Sequence, residues 1–139
     1  HDVDCSASFI LAGQLKTGQL RQFLIYDAGN FIEAMGDTIY FQIGEVKYGK
    51  PILDRIIHPS TSLNDAVKCA LISFDSTMRS NVSVGPPIDL LVYRRDSMAP
   101  GFTIRLEGTD PYLRSIRDAW GSALHKAFQE TVPDPGWKL

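Results

Sequence analysis

The stretch SLNDAVKCALISFDSTMRSNVSVGPPIDLLVY, residues 62–93, decides the fold class of this chain. Over 62–80, Leu63, Ala66, Val67, Ala70, Leu71 and Phe74 recur at the spacing of one helix face. Ser62 and Asp65 stand in the Ser-x-x-acid arrangement that resembles a capping box. The segment 88–95, IDLLVYRR, is short and β-rich. Between them RSNVSVGPP, residues 79–87, packs two serines and an asparagine beside a glycine and two prolines, as a helix exit and a stiff entry to a strand require.

Upstream, the first third reads as β structure. Strands are expected over 8–14, within RQFLIYDAGN (21–30) and within FIEAMGDTIYFQIG (31–44), the last broken near Gly36-Asp37 with a short piece after it. The turns LKTGQL (15–20) and Asp27-Ala28-Gly29-Asn30 lie at short intervals, which favours antiparallel pairing. The runs Phe9 to Ala12 and Phe23 to Tyr26 are apolar without alternation, as in strands covered on both faces. A helix is expected over 47–57, with Pro51 in its first turn and Pro59 stopping it.

Downstream, 102–108 is the hairpin partner of 88–95. Thr109 or Asp110 caps a last helix over about 112–130, with Leu113, Ile116, Trp120, Ala123, Leu124 and Ala127 as its apolar stripe. Residues 131–139 form an irregular Pro/Gly-rich tail. The order β-β-β, α-α, β-β, α is α+β rather than a regular βαβ alternation. There is no repeat or linker, so the 139 residues read as a single domain or as part of one.

Composition narrows the function classes. Fourteen basic and 16 acidic residues give a net charge of −2, which argues against a nucleic-acid partner. No apolar run approaches a membrane span, and no signal-peptide pattern opens the chain. Two cysteines, Cys5 and Cys69, make no disulfide framework, so a reducing, cytoplasmic setting is expected. Cys69 reads as a small helix residue. His1, His58 and His125 are scattered and read as surface or helix-end histidines. Asp2 and Asp4 beside His1 offer metal-binding side chains, but a ragged terminus is the stronger reading, and the common nucleotide and hydrolase motifs are missing, so neither metal nor cofactor is expected. The triplet Asn81-Val82-Ser83 matches a glycosylation acceptor but has no secretion signal beside it. Cys5, freed by cutting after Asp4, would be an N-terminal nucleophile with its own amine as base; the competing reading is a small residue opening a buried strand.

SASFILAGQ, FLIYDAGNFIEA, FQIGEVKYGKPILDR, DAVKCALISFDSTMRSNVSVGPPIDLLVY and DPYLRSIRDAW together resemble the proteasome-type peptidases, which are N-terminal-nucleophile hydrolases, and more narrowly their bacterial branch Anbu, the ancestral β-subunit-like proteins. The resemblance covers nearly the whole chain. It implies a four-layer αββα sandwich, which suits strands with two apolar faces. It implies amide hydrolysis by an N-terminal Thr or Ser hydroxyl, through an acyl-enzyme that water releases. It also implies that these residues match only a C-terminal half, that the nucleophile lies in the other half, and that the chain alone is inactive.

Of the family's supporting residues, the serine near the nucleophile's amine falls on Ser83. The accompanying acid falls on Ser80, a departure, since a hydroxyl carries no charge at neutral pH but still hydrogen-bonds. A further family serine falls near Gly44-Glu45, where Glu45 would change the local charge. Homo-oligomers, as rings or stacks, are implied as the partners. The alternative is a non-catalytic homo-oligomeric assembly or binding module that keeps the αββα scaffold.

Overall fold

The turn at 15–18 folds the chain back on itself, with Gly18 N donating to Leu15 O at 2.9 Å. The structure, a computed structural model, describes residues 6–137. Strand β1 (Phe9–Gln14) pairs antiparallel with β2 (Leu20–Ile25), from Phe9 opposite Ile25 to Gln14 opposite Leu20. A second turn closes through Gly29, at φ +83°, a conformation that a Cβ disfavours. Strand β3 (Phe31–Glu33) then pairs with β2, giving the sheet order β1-β2-β3. The pleat sends Phe9, Leu11, Phe23, Ile25 and Phe31 to one face. There Phe9, Leu11 and Phe31 are 58%, 57% and 63% exposed. On the opposite face Ile10 lines a groove of about 450 Å³ that faces the helices.

The third strand is shorter than expected. It ends at Glu33, and residues 34–43 contain no further strand. Gly36 and Gly44, at φ +59° and +78°, bend the path at either end. Tyr40 is drawn instead toward the first helix, where its hydroxyl donates to Asp54. Lys50 Nζ donates to the same carboxylate at 2.7 and 2.9 Å.

Helix α1 (Lys50–Ile56) carries Pro51 in its first turn, where no intrahelical N–H is lost. It starts later than residue 47. Helix α2 (Leu63–Ser80) begins at the expected cap: Ser62 Oγ accepts from Asp65 N at 3.1 Å. The reciprocal bond of a capping box is altered, because the Asp65 carboxylate takes the Ser62 hydroxyl at 2.8 Å.

The buried face of α2 differs from the sequence expectation. Leu63 and Phe74 are exposed, and the buried set is Cys69, Leu71, Ser73, Asp75 and Thr77. The helix is packed on two sides at once. On one side Gly49, just before α1, lies so close that a Cβ there would stand 2.1 Å from Ser73 Oγ and 3.1 Å from the Ser73 carbonyl oxygen. Thr77 Oγ1 donates to that carbonyl at 2.9 Å, so the buried hydroxyl is satisfied. On the other side Leu71 enters the core.

Strands β4 (Ile88–Val92) and β5 (Phe102–Leu106) form a separate antiparallel pair, with Ile88 opposite Leu106, each shorter than expected. Their connecting loop is anchored to β1: Asp96 N donates to Gln14 Oε1 at 2.8 Å and Gln14 Nε2 to Asp96 Oδ1 at 2.6 Å. Helix α3 (Pro111–Lys126) is capped by Asp110, whose Oδ1 accepts from Tyr112 N and Leu113 N at 2.8 and 3.2 Å. It runs into a π-helical turn, Ala127–Thr131. Only Leu113 and Ile116 of its expected stripe are buried, while Leu124 is exposed. These two join Leu71, Ile88 and Leu106 in the core. The architecture is α+β, with antiparallel strands and flanking helices.

Candidate functional site

Helix α2 ends where Asn81 turns extended, at φ −139° and ψ 112°, while its N–H still donates to Thr77 O at 2.8 Å. The Asn81 side chain then folds the loop. Its Oδ1 accepts from Ser83 N at 2.9 Å and from Ser83 Oγ at 2.7 Å, an Asx-type turn. Its Nδ2 donates to Glu45 Oε2 at 3.0 Å, across 36 residues of sequence. The other carboxylate oxygen of Glu45 accepts from Lys47 N at 3.0 Å. Ser83, Asn81 and Glu45 thus form one continuous hydrogen-bonded set.

Glu45 is charged at neutral pH. Its carboxyl is held below the ordinary glutamate value, first by the Lys47 backbone N–H, then by the Asn81 amide and the Lys47 ammonium, with partial burial opposing them. Gly44, in the left-handed region at φ +78°, makes the bend that brings Glu45 to the loop after α2. Ser83 is exposed.

Ser80 lies at the exposed last turn of α2, outside this hydrogen-bonded set. Glu45, left without a role by the sequence, comes to the site through Asn81. The sequence reading counts Asn81 among the turn residues and within a glycosylation triplet, but gives it no role at the site. The usable signal was an Asn two residues before a Ser at a helix exit, the pattern of an Asx turn. Cys69 is buried, and burial pushes its thiol up from the usual range, as expected of a packing residue rather than a nucleophile. His58 is exposed and His125 lies in the last turn of α3. His1, Asp2, Asp4 and the Cys5 candidate fall outside the described residues. Among the described residues no cluster of three or more His, Cys, Asp or Glu side chains is placed to hold a metal. Among them, too, no helix is long and apolar enough to cross a membrane.

The chain's fold has close counterparts among solved structures. Anbu (ancestral β-subunit) from Yersinia bercovieri matches with a TM-score of 0.90 and 49% identity over 98% of this chain. This chain belongs to the Anbu family. Anbu from Hyphomicrobium sp. strain MC1 matches with a TM-score of 0.90 and 49% identity over 94% of the chain. Anbu from Pseudomonas aeruginosa, solved as a helical assembly, matches with a TM-score of 0.91 and 47% identity over 97%. The chain spans 57% of the Yersinia Anbu chain and 56% of the other two. No family model matches it, and no curated protein does.

Proposed function

We propose that these residues are the C-terminal portion of a bacterial, cytoplasmic Anbu-type peptidase subunit that hydrolyses amide bonds with an N-terminal Thr or Ser hydroxyl. The nucleophile belongs to the part of the Anbu length that this chain does not span. The observation that carries the reading is the match to Yersinia Anbu: 98% of this chain is covered, against 57% of that one. In the reaction the hydroxyl oxygen attacks the substrate carbonyl, an acyl-enzyme forms as the amine leaves, and water releases the acid. Backbone N–H groups stabilise the oxyanion. Ser83 accepts a hydrogen bond from the nucleophile's amine and holds it in place. Ser80 has at most an outer role at the helix end. The chain alone, without the nucleophile, is inactive.

The exposed face of Phe9, Leu11 and Phe31 supports a completed αββα sandwich, since apolar sheet surface of this kind is ordinarily covered. Gln42 Oε1, buried and without a hydrogen-bond partner among the described residues, lies on the irregular segment after β3 and fits a neighbouring strand supplied by the rest of the subunit. Homo-oligomerisation is proposed by likeness to the helical assembly of the Pseudomonas protein. That assembly also favours the second reading, a non-catalytic module that only self-associates. Peptide hydrolysis by the protein expressed in its native frame, with any sequence preceding His1, separates the two. Under the peptidase reading Ser83→Ala lowers kcat about tenfold, the scale of one lost hydrogen bond of about 1.4 kcal/mol. A native-frame protein that assembles but never cleaves peptides supports the second.

A further inference from the structure

We infer that Asn81 is a positioning residue that fixes the Ser83 hydroxyl as an acceptor toward the site and couples it to the Glu45 carboxylate, which supplies the negative charge that Ser80 lacks. Its catalytic consequence rests on the peptidase reading; its geometry rests on the hydrogen bonds alone.

A serine hydroxyl has one proton to donate and two lone pairs to accept with. The Ser83 proton is committed to Asn81 Oδ1 at 2.7 Å. The orientation of the Asn81 amide is over-determined. Ser83 N can only donate, so the group 2.9 Å from it is the amide oxygen. The amide nitrogen therefore faces Glu45 Oε2 at 3.0 Å, and an ionised carboxylate can only accept. Either flip of the amide would break bonds on both sides. Glu45 is in turn pinned by Lys47 N at 3.0 Å.

Two consequences follow for the chemistry. First, the lone pairs of Ser83 Oγ are what remains for a ligand, so the site takes a donor such as an ammonium group or water and disfavours an anion. Second, a carboxylate at one end of the chain polarises the amide and strengthens the bond at the other. The site thereby gains anionic character without an acid at position 80.

The test combines a spectroscopic and a kinetic arm on the protein expressed in its native frame. In the ¹⁵N-labelled protein, one Asn81 side-chain amide proton is expected well downfield. It should return to the range of free asparagine amides in Glu45→Ala, with the Ser83 backbone amide moving in step. An Asn81 side-chain signal unchanged by Glu45→Ala overturns the inference whether or not the protein cleaves peptides. In the kinetic arm Asn81→Asp, which sets two carboxylates face to face, lowers kcat about tenfold or more with KM unchanged, on the scale of one lost hydrogen bond. The double variant Asn81→Asp with Glu45→Gln restores the hydrogen-bonded chain with one charge and recovers most of kcat. A double variant no better than the single one also overturns the inference. Failure of the native-frame protein to cleave any peptide sinks the peptidase reading and leaves the spectroscopic arm to decide the geometry.

Discussion

Arg117 Nε on α3 donates to the buried carboxylate of Asp75 on α2 at 2.9 Å. Asp75 is 3% exposed, and its other oxygen accepts from Arg79 at a longer 3.3 Å. This is a charged lock between two helices beside an otherwise apolar core. Both arginines stay about half exposed and well solvated, so only one charge is fully desolvated. Arg117→Ala leaves that carboxylate with its weaker partner and should cost about 2 kcal/mol, the scale of a hydrogen bond to a charged group. Arg79→Ala should cost about half of that. Urea midpoints compare the two, and an equal or reversed order contradicts the assignment.

Gly49 sets how closely α1 and α2 approach. Gly49→Ala would place its methyl against Ser73, and the Ser73 carbonyl oxygen at 3.1 Å cannot rotate away as the hydroxyl can. The substitution should destabilise by about 1–3 kcal/mol, as overpacking does. Gly121, in the interior of α3 with nothing within 4 Å of a Cβ, is the control. Gly121→Ala should stabilise by about 0.5–1 kcal/mol. Thermal melts of both variants check the opposite signs.

The Asp54 carboxyl is held below the usual aspartate value, first by the Lys50 ammonium and then by the Tyr40 hydroxyl. A carboxyl whose folded value is depressed contributes stability that is complete above its unfolded value of 3.8 and lost as pH falls through the folded one. Asp54→Asn should therefore lower the melting temperature near pH 6, and the gap should narrow as pH falls below 3.8 toward the folded value. The gap should shrink in high salt, because the pair is exposed. Melts across that pH range measure it.

The face of Phe9, Leu11 and Phe31 predicts that the 139-residue chain self-associates or binds a hydrophobic dye. Leu11→Ser with Phe31→Ser should reduce both. If the proposed sandwich is completed in the native-frame protein, the same pair should instead destabilise it by several kcal/mol. Sedimentation and dye binding of the chain, beside melts of the native-frame protein, distinguish a buried face from an ordinary surface.

What the sequence discloses divides along the distance over which each feature is decided. The α2 cap at Ser62 and the α3 cap at Asp110 are legible because each involves neighbours within three residues. The hairpins are legible from their turns. The end of β3 at Glu33 is not, because a strand continues only where another strand pairs with it. Ser73, Asp75 and Thr77 lie outside the apolar stripe read from the sequence, and their burial follows from Gly49 and Arg117 lying against them, Arg117 being 42 residues from Asp75. Ser83 enters the site through family resemblance. Its link to Glu45 depends on an amide whose local pattern marks a turn but whose long-range partner no spacing reveals.

We propose that Ser83, held by Asn81 and Glu45, supports a nucleophile carried by the part of the Anbu length this chain does not span. The most direct measurement assays peptide hydrolysis by the 139-residue chain beside the protein expressed in its native frame, followed by mass mapping of the trapped acyl-enzyme. No hydrolysis by the chain alone is expected, with an acyl adduct on an N-terminal Thr or Ser of the native-frame protein. Hydrolysis by the 139 residues alone, or an adduct mapped to a residue within them, contradicts it.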